Sequence, residues 1–145
     1  MKTVLQRVKR ASVTVDNEVI GKINKGIVLL FGVHKDDDPQ KAEFLASKCI
    51  NLRIFNDSID KMNLSLKDIG GEILVVSQFT LFGDCSRGRR PSFIDAAPPE
   101  KGRELYNYFV ELLRKQIAVV QTGIFGAMME VEIVNEGPVT LILEI

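Results

Sequence analysis

The chain has 145 residues, 46% of them hydrophobic and 26% charged, which is enough for one well-buried core and too few for two. Nineteen basic residues balance nineteen acidic ones, so no global field draws the protein to nucleic acid and any contact with RNA has to be local. No apolar run approaches the roughly 20 residues of a membrane helix, and Lys2, Arg7, Lys9 and Arg10 interrupt the opening of the chain. Both features argue against an export signal and for a soluble, cytoplasmic protein.

Apolar and polar residues mix at short period over Thr3 to Val8, and Ala11 to Val15 is β-branched with Val13 and Val15 two apart, so both stretches read as strand. Asp16-Asn17 supplies turn chemistry, and Val19 to Ile23 returns as the second arm of a hairpin. Gly26 to Val33 is apolar on both faces, the pattern of a central strand covered on each side. Asp38-Pro39 predicts a helix start, with Asp38 capping free backbone N–H groups and Pro39 already near helical φ at the first position. Ala42, Leu45, Ala46, Cys49 and Ile50 then share one apolar face.

Arg53 to Asn56 predicts a short strand, Asp57 to Gly71 an interrupted polar stretch, and Glu72 to Phe79 a strand rich in Ile, Leu and Val. A second helix is predicted from Pro98-Pro99, with Leu105, Tyr108, Phe109, Leu112 and Leu113 at helical spacing. Val119 to Thr122, Met128 to Val134 and Val139 to Ile145 follow as three strands, the last two parted by Asn135-Glu136-Gly137-Pro138. Few helices among many strands predict a mixed α/β (α+β) single domain over residues 1–145. Its largely antiparallel sheets, barrel-like and in two layers, carry two main helices on one side.

Cys49 and Cys85 have no partner at metal-ligand or redox spacing, and no histidine or cysteine signature for a metal exists. Neither a dinucleotide nor a P-loop glycine pattern is present, so no cofactor is expected. His34, the single histidine, is followed by Asp36, Asp37 and Asp38, but nothing places a nucleophile beside it.

Three segments offer chemistry. Ser77-Gln78-Phe79-Thr80-Leu81 ends an apolar strand with hydroxyl, amide and backbone donors, although many strand ends are simply loops. Arg87, Arg89 and Arg90 crowd a Gly/Pro-containing loop, where they either meet phosphates or stand solvated. Gly137-Pro138 lies between two strand patterns, where it is either a tight turn or, since proline alone makes a cis bond accessible, a site-lining element.

Together with the opening Val4-Leu5-Gln6-Arg7-Val8, the motifs Ser77-Gln78-Phe79-Thr80-Leu81 and Asn135-Glu136-Gly137-Pro138-Val139-Thr140 closely resemble the D-aminoacyl-tRNA deacylase family along the whole chain. The resemblance implies ester hydrolysis of D-aminoacyl-tRNA, as proofreading in translation, and of glycyl-tRNA mischarged on tRNA-Ala. It implies a homodimer with active sites at the subunit interface, each receiving a cis Gly137-Pro138 from the other subunit to reject L-aminoacyl substrates. Ser77, Gln78, Phe79 and Thr80 would be the catalytic segment, with main-chain N–H groups near Phe79 and Thr80 holding the oxyanion. The 2′-hydroxyl of the terminal adenosine would assist, and Arg7 would hold the Gly-Pro segment. Arg87, Arg89 and Arg90 lie outside these motifs; their contact with tRNA phosphates is a separate expectation.

Two other classes compete. A non-catalytic RNA-binding module would bind tRNA without releasing amino acid, and a dimeric interaction domain would do neither.

Overall fold

The elements of the computed structural model, which describes residues 1–145, run β1 (Lys2–Val15), β2 (Glu18–Ile23), β3 (Gly26–Gly32), α1 (Pro39–Asn51), β4 (Phe55–Asn56), β5 (Met62–Leu64) and β6 (Glu72–Ser77). They continue through a 3-10 helix (Phe79–Phe82), α2 (Pro99–Arg114), β7 (Val120–Thr122) and β8 (Glu130–Glu144). β1 organises the rest because it is long enough to pair along both edges. On one edge it meets β3 through Lys2–Val8 and β2 through Ala11–Val15; on the other it meets β8 from end to end, all antiparallel. β3 continues into β6 and then β7 as parallel neighbours. Parallel pairing needs long crossovers, and α1 and α2 lie in the two that are present.

Alternation along β3 divides the interior. Ile27, Leu29 and Phe31 face the helices and join Leu45, Cys49, Ile50, Leu105, Phe109 and Leu113 in the main core. Val28 points the other way, into a second cluster with Val8, Ala11, Val13, Ile23, Leu74 and Val76. Phe31 stacks on Phe109 with centroids 4.2 Å apart, and each such fully buried side chain contributes about 1.5–3 kcal/mol. The buried Tyr106 hydroxyl donates to the Val75 carbonyl at 2.9 Å, tying α2 to β6. A Cβ on Gly21 would stand 2.9 Å from the Thr122 carbonyl oxygen, so β2 closes against β7 and the sheet is nearly a barrel. Burial pushes the Cys49 thiol up to about 12.

Local signals are borne out where they are strongest. Asp16 and Asn17 both hold positive φ, 49° and 66°, as a tight hairpin turn of twisted strands requires. Asp38 caps α1 by accepting the Lys41 N–H at 2.9 Å. On α2 the buried face is Leu105, Tyr106, Phe109, Val110 and Leu113; Tyr108 and Leu112 flank it, half-buried, because that face sits slightly off the predicted one.

Three expectations need correction. The strand expected to reach Phe79 stops at Ser77. There Gly32 ends the neighbouring strand, and the 3-10 helix folds over it so closely that a Cβ on Gly32 would lie 2.9 Å from the Gln78 carbonyl oxygen. The stretch Asp57–Gly71 contains β5, which pairs with β4. The two C-terminal strands are one, β8, and Asn135–Pro138 is no turn between strands. The two steps from Gln6 to Val8 on β1 lie opposite the five from Asn135 to Thr140 on β8, an outward excursion within a continuing pair.

Behind the sheet end, the buried Asp37 carboxylate accepts from the Met1 ammonium at 2.7 Å, the His34 N–H at 2.7 Å and Lys41 Nζ at 3.0 Å. Burial raises its pKa, but these donors prevail and hold the carboxyl below the usual range. Asp37→Asn is expected to lose about 3 kcal/mol in urea denaturation at pH 7, as for a broken buried pair. A lowered folded-state pKa contributes fully above the unfolded value of about 3.9 and fades as pH falls through the folded one. The gap between wild type and variant should therefore close below pH ~4; a gap constant down to pH ~2 would refute the assignment.

Candidate active site

Ser77 closes β6, and the Gln78 N–H makes the last bond across to β3, reaching the Phe31 carbonyl at 2.8 Å. Beyond it the chain turns into the 3-10 helix, whose first internal bond is from the Leu81 N–H to the Gln78 carbonyl at 3.2 Å. The Phe79 and Thr80 N–H groups precede that bond and have no intrahelical acceptor, and Gln78 supplies no side-chain cap. The Gln78 side-chain amide instead donates to Thr80 Oγ1. Ser77 and Gln78 are half-buried, Phe79 and Thr80 exposed. The strand end thus presents backbone donors and an oriented hydroxyl to the surface.

Arg7 lies on β1 opposite the excursion of β8, and it is 6% exposed. Its guanidinium donates to three carbonyls: Ile54, Glu136 at 3.2 Å and Gly137 at 3.4 Å. The Glu136 carboxylate stands 3.6 Å from Nε, and its buried Oε2 has no hydrogen-bond partner. Gly137 and Pro138, joined by a cis peptide bond, face outward and are exposed. Buried charge and fixed carbonyls therefore hold the dipeptide from behind. Val139 and Thr140 return it to the sheet, with Thr140 opposite Gln6.

Arg87, Arg89 and Arg90 occupy a loop closed at its neck by two backbone bonds between Asp84 and Ser92, 2.7 and 2.9 Å. All three are exposed, and none pairs with an acid. His34 Nδ1 accepts the Asp36 N–H at 3.2 Å and its ring tilts on Phe82, a structural setting.

The chain brings Ser77, Gln78, Phe79 and Thr80 together, and separately Arg7, Glu136 and Gly137. It does not join the two groups: β8 pairs with β1 alone, and no side-chain hydrogen bond links the segments. Two clefts, about 450 Å³ between α2 and the segment after β7 and about 470 Å³ beside the starts of the helices, are lined by other residues. Sequence reasoning missed Phe93, whose ring meets Phe79 edge-on at 5.2 Å, and the carboxylate of Glu136. An aromatic directly after a basic loop was the available signal for Phe93.

The family model described as D-Tyr-tRNA(Tyr) deacylase matches residues 4–144. A D-aminoacyl-tRNA deacylase of Pelobacter propionicus is 60% identical over 99% of both chains. One of Carboxydothermus hydrogenoformans is 54% identical over the full length of each. A solved structure described as "c-Myc DNA Unwinding Element Binding Protein" superposes with TM-score 0.94 at 45% identity, covering 99% of this chain and 98% of that one. Another, described as a probable eukaryotic D-amino acid tRNA deacylase, shares the fold with TM-score 0.89 at 19% identity, again over 99% and 98%. With the family model matching almost the whole chain and relatives aligned from end to end, the chain belongs to the D-Tyr-tRNA(Tyr) deacylase family of ester hydrolases.

Proposed function

We propose that the protein cleaves the ester between a D-amino acid and the terminal adenosine of tRNA, in the cytoplasm, as chiral proofreading for translation. Two subunits build each site: Ser77–Thr80 from one, Gly137-Pro138 from the other. The observation that carries this reading is the outward dipeptide, anchored by the buried Arg7 and not joined to the strand end within its own chain by strand pairing or side-chain hydrogen bond. A rigid backbone surface facing the substrate α-carbon can leave no room for an L side chain while reading no D side chain in particular. Glycine has nothing to exclude, so glycyl-tRNA mischarged on tRNA-Ala is a second substrate.

Water attacks the ester carbonyl while the Phe79 and Thr80 N–H groups hold the oxygen on which charge develops; the bond from the carbonyl carbon to the ribose 3′-oxygen then breaks, and a proton of the attacking water passes by way of the 2′-hydroxyl to that leaving oxygen. One preorganised donor of this kind contributes roughly 2.7–4 kcal/mol. Thr80 Oγ1 already accepts from Gln78, which leaves its O–H free to donate and makes it a poor nucleophile. Thr80→Ala is therefore expected to lose about tenfold in turnover, the worth of one hydrogen bond. Complete loss with tRNA-end binding intact would establish attack by Thr80 instead.

Hydrolysis of D-tyrosyl-tRNA against L-tyrosyl-tRNA, at equal enzyme and without added metal, tests the function. Release from the D-ester alone is expected. Equal rates would mean an unselective esterase, and binding without release an RNA-binding module.

A further inference from the structure

Phe79 and Phe93 pack edge to face with centroids 5.2 Å apart, yet they remain 58% and 39% exposed, and the adjoining Ile94 is 75% exposed. Neither ring belongs to either core cluster. Phe93 is backed on one side by Gly83, where a Cβ would stand 2.9 Å from its Cε1. A larger residue at Gly83 would displace the ring, so its orientation is set from behind while the rest of it meets solvent.

Phe93 follows directly on the neck of the arginine loop. Two residues, Pro91 and Ser92, separate it from Arg90, three steps and at most about 10 Å of chain. The loop therefore carries three unpaired guanidinium groups on the segment that leads into Phe93, whose ring meets that of Phe79 on the strand end assigned to ester cleavage. Flat apolar faces beside unpaired positive charge suit single-stranded nucleic acid, whose bases stack while its phosphates are neutralised. A second copy of the same surface would bring like charges together, which disfavours self-association here.

We propose that Phe93, with Phe79, is a stacking platform for an unpaired base upstream of the terminal adenosine of tRNA, and that Arg87, Arg89 and Arg90 hold the adjoining phosphates. The inference rests on the reading of Ser77–Thr80 as the hydrolytic segment. Phe93 acts in binding and touches no reacting atom.

The test compares D-tyrosyl-tRNA with D-tyrosyl-adenosine, which has the ester but no upstream nucleotide. For Phe93→Ala the ratio of KM for the tRNA to KM for the adenosine should rise about tenfold, within the range for one stacked base. Phe93→Tyr should restore the ratio. The triple alanine variant of Arg87, Arg89 and Arg90 should flatten the plot of log KM for the tRNA against log salt by about 2, three single-strand phosphates at roughly 0.7 each. Equal losses on both substrates would make Phe93 a mere support for the strand end and overturn the proposal. An unchanged ratio, an unchanged salt slope, or a change in oligomeric state on gel filtration would overturn it too. Wild-type enzyme inert toward both esters would instead overturn the hydrolytic reading and this one with it.

Discussion

Gly137→Ala is expected to lower kcat/KM for D-tyrosyl-tRNA about 100-fold, the scale of an ångström-level misplacement at a reacting centre, while the protein folds as before. Within its own chain the added methyl meets only Asn135 Nδ2, at 3.8 Å, an ordinary contact. The residue does not lie in the left-handed region, so alanine introduces no backbone strain. Fewer unfolded conformations could even raise stability by up to about 1 kcal/mol. The methyl projects from an exposed dipeptide, so its effect falls on whatever that surface meets, which in the function proposed above is the substrate α-carbon in the site of the other subunit. Unchanged kinetics would remove Gly137 from the site. Activity and melting temperature falling together would make it a structural residue.

Arg7→Met is expected to damage both stability and turnover. Methionine fills most of the volume but abandons the Ile54, Glu136 and Gly137 carbonyls and leaves the Glu136 carboxylate without its counter-charge. Breaking a buried charged pair from one side destabilises by about 3–5 kcal/mol, and chemical denaturation should register a loss of that size. Adding Glu136→Gln should recover part of it, because the orphaned charge is then gone. Turnover should stay depressed in the double variant, assayed where it remains folded, since nothing then fixes the Gly137 carbonyl. Full recovery of activity with stability would show that Arg7 serves the fold alone.

What could be read in advance divides by the range of the physics involved. The Asp16-Asn17 turn, the Asp38 cap and the two-faced burial of β3 are set by neighbours a few residues away, and their signals are explicit. The continuity of β8 is not local: Asn135–Pro138 reads as a turn until β1 is seen to run straight past it, so that its partner has to bulge rather than reverse. Arg7 shares a strand face with the buried Leu5, and that parity hinted at burial; its three carbonyl partners come from two distant segments and could not be inferred. The candidate motifs were visible as patterns, but that Ser77–Thr80 and Gly137-Pro138 are not joined within one chain is a property of the assembled sheet.

The open edge of β8 has a consequence for solubility. A strand of 15 residues with one unpaired side is a template on which further chains could add. The excursion divides its pairing into a run of six residues, Glu130–Asn135, and a run of five, Thr140–Glu144. Neither run exceeds the segments of about six or seven residues that stack into fibrils. Between them Pro138 offers no N–H, and in the first run the exposed Glu130, which has no ion-pair partner, repels an incoming copy in register. The excursion that carries Gly137-Pro138 thus also keeps a long bare edge from seeding aggregation.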